Sequence, residues 1–118
     1  MEGHLLAAVA ATLGYTYSMA SVDMKTIAAA VGGCADLYPI DEAYVFGSYA
    51  RSEQDAGSDV DLCIECGDGF SLFMLGGLGN RLEQELGVPV DIVCGEHTFF
   101  PKARERYLKD RVLVYARL

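Results

Sequence analysis

The chain has 118 residues, of which 52% are hydrophobic and 22% are charged. That composition is typical of one folded domain with a single core and argues against a disordered chain. The formal net charge of −8 argues against a nucleic-acid polymer as substrate, because phosphate backbones are normally met by basic surface.

The first 23 residues are interpreted as an N-terminal extension, and the folded domain is expected to span residues 24–118. The run from Leu5 to Leu13 is apolar apart from one threonine, but it is too short to cross a bilayer. The residues before it carry no Lys or Arg, so a secretory signal is not expected. We expect an additional helix here, or a start codon assigned too early with Met24 as the true start. The protein is expected to be cytoplasmic, without membrane association.

The rest of the chain alternates between helical and strand-like patterns. Apolar residues three and four apart predict the first helix, and Ser71 is a good cap for the second. This order predicts an α/β (α+β) fold in which helices flank a small mixed β-sheet. The predicted helices cover about 24–37, 71–86 and 98–109, and the predicted strands cover about 42–47, 60–65, 88–93 and 112–115.

A Gly-Ser turn that could hold phosphate follows the first predicted strand. Gly47 permits a tight turn and a close approach of the backbone to a ligand. Ser48 is a good helix N-cap, and the free N–H groups at such a helix start point towards an anion. The hydroxyl of Ser48 and the guanidinium of Arg51 would add side-chain donors. With Ser58, these three residues are the predicted nucleotide-binding set.

The next segment carries two aspartates on one side of a strand. Residues 59–65 alternate with period two, so their aliphatic side chains share the face expected to join the core. Asp59 and Asp61 then project side by side from the opposite face. Two carboxylates so close raise one another's pKa unless a cation lies between them, and oxygen-ligated Mg²⁺ resolves this conflict. The alternative is a solvated strand edge with two acidic residues.

Asp91 is a third carboxylate of interest, alone in the apolar run from Val88 to Cys94. Burying a carboxylate in such a strand is costly unless it is paired or bound to a metal ion. Asp91 is therefore expected either to have such a partner or to be an exposed residue at a strand end.

The run from Gly47 to Asp61 resembles the motif of the polymerase-beta-like nucleotidyltransferases. Over the whole predicted domain, the chain is similar to their small single-domain branch, the minimal nucleotidyltransferases. The resemblance implies transfer of AMP from ATP to a hydroxyl group, with Mg²⁺, two ions in all, held by Asp59, Asp61 and Asp91. It also implies that Asp91 accepts the proton of the attacking hydroxyl. Ser52 departs from the family pattern, in which Gly commonly follows the Ala-Arg pair, but its presence removes no metal ligand.

The same resemblance implies a protein partner. Minimal nucleotidyltransferases include antitoxins that bind a HEPN-domain ribonuclease, the toxin, and transfer AMP from ATP to a tyrosine hydroxyl on it. Antibiotic-modifying relatives normally carry an added helical domain for the drug, for which this chain has no room. One alternative is a nucleotidyltransferase that acts on an antibiotic or another small molecule with a separate helical subunit. The other is a toxin-binding module without catalysis.

The cysteines and the basic residues near the C-terminus receive structural interpretations. Cys63 and Cys66 form a CxxC, but Cys34, Cys94 and His97 are too scattered for a zinc finger, so reduced thiols are expected. The basic residues are interpreted as a solvated helix face, with docking to an acidic partner as the alternative. They are Lys102, Arg104, Arg106, Lys109, Arg111 and Arg117.

Overall fold

The structure, a computed structural model, describes residues 22–118, so the N-terminal extension lies outside the described residues except for its last two. In the part described, no helix is long and apolar enough to cross a membrane. Helices alternate with strands in the predicted order. The elements are α1 (Met24–Cys34), β1 (Ile40–Phe46), α2 (Gly47–Ala50), β2 (Val60–Cys66), α3 (Leu72–Leu86), β3 (Val90–Cys94), a 3-10 turn (Glu96–Thr98), α4 (Pro101–Asp110) and β4 (Val112–Ala116).

Side-chain caps begin the two long helices of the core. The Asp23 carboxylate accepts a hydrogen bond from Thr26 N (2.8 Å) at the start of α1. The Ser71 hydroxyl accepts one from Met74 N (3.2 Å) at the start of α3, as the sequence predicts. Gly87 ends α3 in the left-handed conformation, which glycine adopts without a steric penalty.

Two helix ends differ from the prediction. Helix α1 stops at Cys34 rather than near Leu37, because Leu37 N–H donates to Cys34 O (2.9 Å) in a turn. Helix α4 begins at Pro101 rather than at Thr98, because the chain forms a 3-10 turn up to Thr98 and is extended at Phe99 and Phe100. Proline at the first helical position needs no acceptor for an N–H and has a preset φ, so the helix starts there.

The sheet is mixed, with strand order β3-β2-β1-β4. Strand β1 pairs antiparallel with both β2 and β4, whereas β2 and β3 are parallel. A parallel pair needs a crossover connection, and α3 provides it. The structure therefore confirms the predicted small mixed sheet with flanking helices.

One face of the sheet packs against α1 and α3 and forms the main core. The predicted stripes are largely buried there, since Leu78, Leu82 and Leu86 of α3 and the aliphatic residues of β2 are almost fully covered. Leu75 of α3 is partly buried against the same core. This burial fixes which face of each strand points away from the core. The residues of this core include Ile27, Val31, Ala43, Val45, Val60, Leu62, Ile64, Leu78, Leu82 and Val90.

The opposite face is covered only in part, by an aromatic cluster around Tyr107 of α4. Tyr107 stacks on Phe99 (ring centroids 4.7 Å apart) and meets Phe46 edge-on (5.4 Å). Cys63 is fully buried under this cover although it lies on the face opposite the main core. The cover lies over β1 and the middle of β2, and the carboxylates of interest lie beyond it.

The four cysteines are free thiols, as expected from the sequence. Cys94 is distant from the CxxC in the sequence, but its Sγ lies 2.7 Å from Cys66 Sγ at the ends of neighbouring strands. The interpretation of the basic residues needs correction. The basic residues are not one solvated helix face, because they point in several directions. The Arg111 guanidinium lies 4.2 Å from the centre of the Tyr44 ring, and Arg117 donates to the carbonyl oxygen of Ile40 (3.1 Å).

Candidate active site

Strands β2 and β3 bring two of the predicted carboxylates directly opposite each other. Asp61 pairs with Asp91 in the parallel ladder, and the preceding pair, Val60 and Val90, is buried in the main core. Side chains alternate along a strand, so both aspartates point to the face away from that core. Asp59 lies immediately before β2 and is exposed. The three carboxylates therefore lie at the same end of two adjacent strands.

The pKa of the Asp61 carboxyl is raised by burial and by the neighbouring carboxylates. Partial burial raises the pKa of this carboxyl above its ordinary value of 3.8, and the charges of Asp91 and Asp59 raise it further. The Arg51 guanidinium lowers it, without reversing the shift. A cation bound between these carboxylates would remove the repulsion.

Of the two expectations for Asp91, the structure shows an exposed residue at a strand end and not a buried carboxylate. Asp91 is exposed, because β3 is an edge strand and the aromatic cluster does not reach it. The desolvation cost falls on Asp61 instead. Exposure leaves the Asp91 carboxylate open to a ligand and to an incoming hydroxyl.

Gly47 allows the Asp61 carboxylate to lie against the turn. The residue before it, Phe46, pairs with Asp61 across the antiparallel β1–β2 ladder. Gly47 has a φ of 71°, and a Cβ built on it would overlap Asp61 Oδ2. The turn that was predicted to hold phosphate and the carboxylate that was predicted to hold metal are thus in direct contact.

Ser48 is not the predicted N-cap. Phe46 occupies the cap position and Ser48 lies inside α2, because β1 runs without interruption to Phe46 and the chain turns at Gly47. Helix α2 is one turn long, so its dipole is small, and the useful donors are its backbone N–H groups and side chains. Ser48 remains in the turn beside Asp61.

Ser52 has a φ of 57°, in the left-handed region. Glycine adopts that conformation freely, whereas a residue with a Cβ is strained in it. The family preference for Gly at this position therefore has a conformational reason. The turn keeps its shape with serine at a cost in stability, and Ser52 N donates to Tyr49 O (3.3 Å).

Ser58 belongs to a tight turn that precedes the aspartates. Its hydroxyl accepts from Asp55 N (2.9 Å), and its own N–H donates to Asp55 O (3.1 Å). The Asp55 carboxylate also accepts from Gly57 N (2.9 Å). The Ser58 hydroxyl therefore already has partners in Asp55, and its role in nucleotide binding stays a prediction.

The donor set suits a hard cation such as Mg²⁺. Among residues 22–118, no three carboxylate, thiol or imidazole side chains are arranged to hold a metal ion as they stand. Oxygen ligands at the ends of two adjacent strands, with Asp59 and Asp91 exposed, fit an ion that also binds phosphate oxygens.

A cavity of about 340 Å³ adjoins the turn, and two of its residues were missed in the sequence. Lys102 and Arg106 of α4 line it together with Arg51, and its one carboxylate, Asp110, lies 3.6 Å from Arg51. Lys102 and Arg106 are four apart and therefore share a helix face. That spacing was the available signal, but no pattern in the sequence indicated that this face meets Gly47.

Phe46, Phe99 and Tyr107 form the apolar wall of the same cavity. The Tyr107 hydroxyl is buried without a hydrogen bond of good geometry, and burial raises its pKa strongly, with the Cys63 thiol as the next cause. The Tyr107 hydroxyl in this wall is therefore neutral at physiological pH. Together, a basic side and an aromatic side beside carboxylates form a pocket suited to a polyphosphate with an attached organic group.

Sequence comparisons agree with this geometry. The model of the nucleotidyltransferase domain family matches residues 27–118. A protein of Methanocaldococcus jannaschii, provisionally named a protein adenylyltransferase, is 40% identical over 73 residues, which cover 62% of this chain and 77% of its own. A second protein of that organism with the same provisional name is 32% identical over 77 residues, covering 65% of this chain and 79% of its own.

Solved structures share the fold. A protein described as a minimal nucleotidyltransferase, again provisionally, superposes with a TM-score of 0.63 at 33% identity, covering 79% of this chain and 97% of its own. A toxin–antitoxin complex with AMP-PNP contains a chain with a TM-score of 0.63 at 17% identity, covering 76% of this chain and 73% of that one. The last similarity shows the fold alone. The family match, the sequence relatives and the geometry agree, and the chain belongs to the nucleotidyltransferase domain family as a minimal nucleotidyltransferase.

Proposed function

We propose that this nucleotidyltransferase transfers AMP from ATP to a tyrosine hydroxyl of a HEPN-type toxin and so acts as its antitoxin. The observation that carries the proposal is the pairing of Asp61 with Asp91 on adjacent strands, in contact with the Gly47 turn. The provisional names of the sequence relatives support a protein acceptor. The fold shared with toxin–antitoxin components, named MntA-HepT in one of those structures, supports a toxin as that protein.

The nucleotide would bind between the turn and α4. Arg51, Lys102 and Arg106 present positive charge to the phosphates, and the aromatic wall offers an apolar surface. Asp59, Asp61 and Asp91 would hold Mg²⁺, two ions in all. When bound, these ions neutralise phosphate charge and favour ionisation of the acceptor hydroxyl.

The reaction moves one adenylyl group, AMP, from the pyrophosphate oxygen of ATP to the acceptor oxygen. The acceptor oxygen forms a bond with the α-phosphorus, the bond to the pyrophosphate oxygen breaks, and the hydroxyl proton passes to Asp91. Exposure of Asp91 on the edge strand lets a bulky protein acceptor reach it. Arg51, Lys102 and Arg106 hold the departing pyrophosphate, so the chain contributes mainly positioning and electrostatic stabilisation.

Two other functions are compatible with the same site. A small-molecule acceptor would need a second subunit to hold it, because the cavity beside Gly47 is open and small. A purely binding antitoxin would have no use for carboxylates that raise one another's pKa. These alternatives become outcomes of the experiment below.

The experiment mixes the full chain with a HEPN-type toxin, ATP and Mg²⁺ and measures the intact mass of the toxin. We expect added AMP on a toxin tyrosine, and we expect its loss with Asp59→Asn/Asp61→Asn. Asp91→Asn should retain ATP affinity within about threefold but transfer AMP at least about 100-fold more slowly. Glu105→Gln, an exposed carboxylate on α4, is the matched control.

Each negative result of this experiment would support a different conclusion. Complete inhibition of an unmodified toxin would replace the proposal with the binding module. Absence of any interaction, together with AMP transfer to a small hydroxyl compound, would favour a small-molecule acceptor. Unchanged transfer by the double Asn variant would overturn the assignment of the carboxylates.

A further inference from the structure

A second pair of reactive side chains lies at the other ends of β2 and β3. Cys66 is the last residue of β2, and Cys94 is the last residue of β3. Cys94 pairs with Ile64 in the parallel ladder, and Cys66 lies two residues beyond Ile64. Residues two apart on a strand share a face, so both sulfurs lie on the same face of the sheet.

The two sulfur atoms are closer than a contact between unconnected thiols. Their separation is 2.7 Å, whereas a disulfide bond is about 2.05 Å long. Less than 1 Å of movement would therefore bring them to bonding distance. Burial and the neighbouring Cys94 thiol raise the pKa of Cys66 to about 12, so at neutral pH the Cys66 thiol is protonated and can donate to the Cys94 sulfur.

The pair is accessible to small reagents. Both residues line a cavity of about 420 Å³ that is separate from the one beside Gly47, with Phe70, Leu75 and His97 among its other residues. Cys66 is exposed and Cys94 is half-buried, whereas Cys34 and Cys63 are fully buried. The chain thus contains two accessible thiols in contact and two enclosed thiols that serve as internal controls.

We propose that Cys66 and Cys94 are a redox-active dithiol that closes to an intramolecular disulfide on reaction with a low-molecular-weight disulfide. A thiolate of the pair attacks one sulfur of the reagent, whose S–S bond breaks and releases one small thiol. The second cysteine, after losing its proton to water, attacks the mixed disulfide and releases the second small thiol. Two electrons pass from the cysteines to the reagent, and two protons end on the released thiols.

The bond would tie the edge strand β3 to β2 at the end opposite Asp61 and Asp91. Within residues 22–118, β2 is the one strand that pairs with β3, which lies at the edge of the sheet. A disulfide here closes the segment of chain that contains α3, and such a closure restricts the unfolded state. We expect the oxidised protein to unfold at a temperature higher by about 10 °C.

The test incubates the native full chain with oxidised glutathione and maps its tryptic peptides without reduction. Residues 52–81 form one peptide, which contains Cys63 and Cys66, and residues 82–102 form another, which contains Cys94. We expect these two peptides to be linked, with two of the four thiols still free after denaturation. Cys66→Ser should abolish the link and retain glutathione on Cys94, because the resolving thiol is gone.

Other outcomes overturn the proposal. A link that persists in Cys66→Ser would identify Cys63 as the partner. Stable glutathione on Cys66 or Cys94 of the unaltered chain, without a link, would show that the thiols do not meet. Cys66→Ser replaces an exposed side chain, and a melting curve of the reduced variant confirms that it is folded. The measurement uses no nucleotide, so its result is independent of the proposed function.

Discussion

Asp61 carries an electrostatic cost and has a central position in the site. It is partly buried, it faces Asp91 across the ladder, and its carboxylate occupies the space that a side chain on Gly47 would fill. A charged residue that lowers the stability of the ligand-free protein is expected at a functional site, because the bound ligand supplies the opposite charge that the residue lacks. The structure thus predicts opposite effects of one substitution on stability and on activity.

We expect Asp61→Asn to raise the melting temperature of the metal-free protein by a few degrees at about pH 7.5 and to reduce AMP transfer at least about 100-fold. The neutral amide keeps the shape and removes the charge that burial and Asp91 disfavour. Paired thermal denaturation of the variant and the original chain without divalent metal measures the first effect. A variant less stable than the original chain would show that the carboxylate is satisfied without a cation.

The difference in melting temperature between Asp61→Asn and the original chain should depend on pH. The folded pKa of Asp61 is raised above 3.8, so folding favours its protonated form. The original chain therefore loses stability as the pH rises from about 3.8 through the raised pKa, whereas Asp61→Asn lacks this contribution. The gap between the two melting temperatures should shrink as the pH is lowered towards about 4. A gap that does not change with pH would assign the gain to packing rather than to charge.

Ser52 provides a prediction that concerns the backbone alone. Its φ of 57° is strained for serine, and Ser52→Gly should raise the free energy of unfolding by about 0.5–1 kcal/mol, with transfer unchanged within about twofold. Chemical denaturation measures the change. Ser52→Ala is the control, since it removes the same hydroxyl but keeps the Cβ. Equal stabilisation by both variants would contradict the conformational explanation.

Among the elements, α4 contributes to the site in a way that was not predicted from the sequence. Its apolar residue Tyr107 covers β1, and its basic residues Lys102 and Arg106 reach the cavity beside Gly47. The amino-acid spacing shows that these two basic residues share a face, but the position of α4 depends on the aromatic packing around Phe99. Tertiary contacts between distant segments decided this part of the site.

We expect Lys102→Ala and Arg106→Ala each to weaken ATP binding about tenfold, with a smaller effect on the rate at saturating ATP, because both charges face the phosphates. Steady-state kinetics of AMP transfer separates KM from kcat. Lys109→Ala is the control, because this exposed lysine of the same helix does not line the cavity. A change in kcat with unchanged KM would place these side chains near the acceptor instead.

At the scale of the whole molecule, most of the fold was readable from the sequence. Alternation in residues 59–65 and the leucine stripe of α3 depend on local periods, so the order of elements and the buried faces follow from them. The contact between Cys66 and Cys94 does not follow from local periods, because it depends on which strands become neighbours in the sheet. The exposure of Asp91 has the same origin, since an edge strand and a central strand can have similar sequences.

The parallel register of β2 and β3 also limits which insertions and deletions the protein can tolerate. The alternation that buries Val90 also turns Asp91 towards Asp61. If one residue were removed within β3, a one-residue slip would exchange the two faces of the strand. The strand could then either bury an aliphatic side chain at the position of Val90 or direct a carboxylate towards Asp61, but not both. Changes in length are therefore expected to accumulate in the loops on either side of this strand, while the strand itself keeps a constant length.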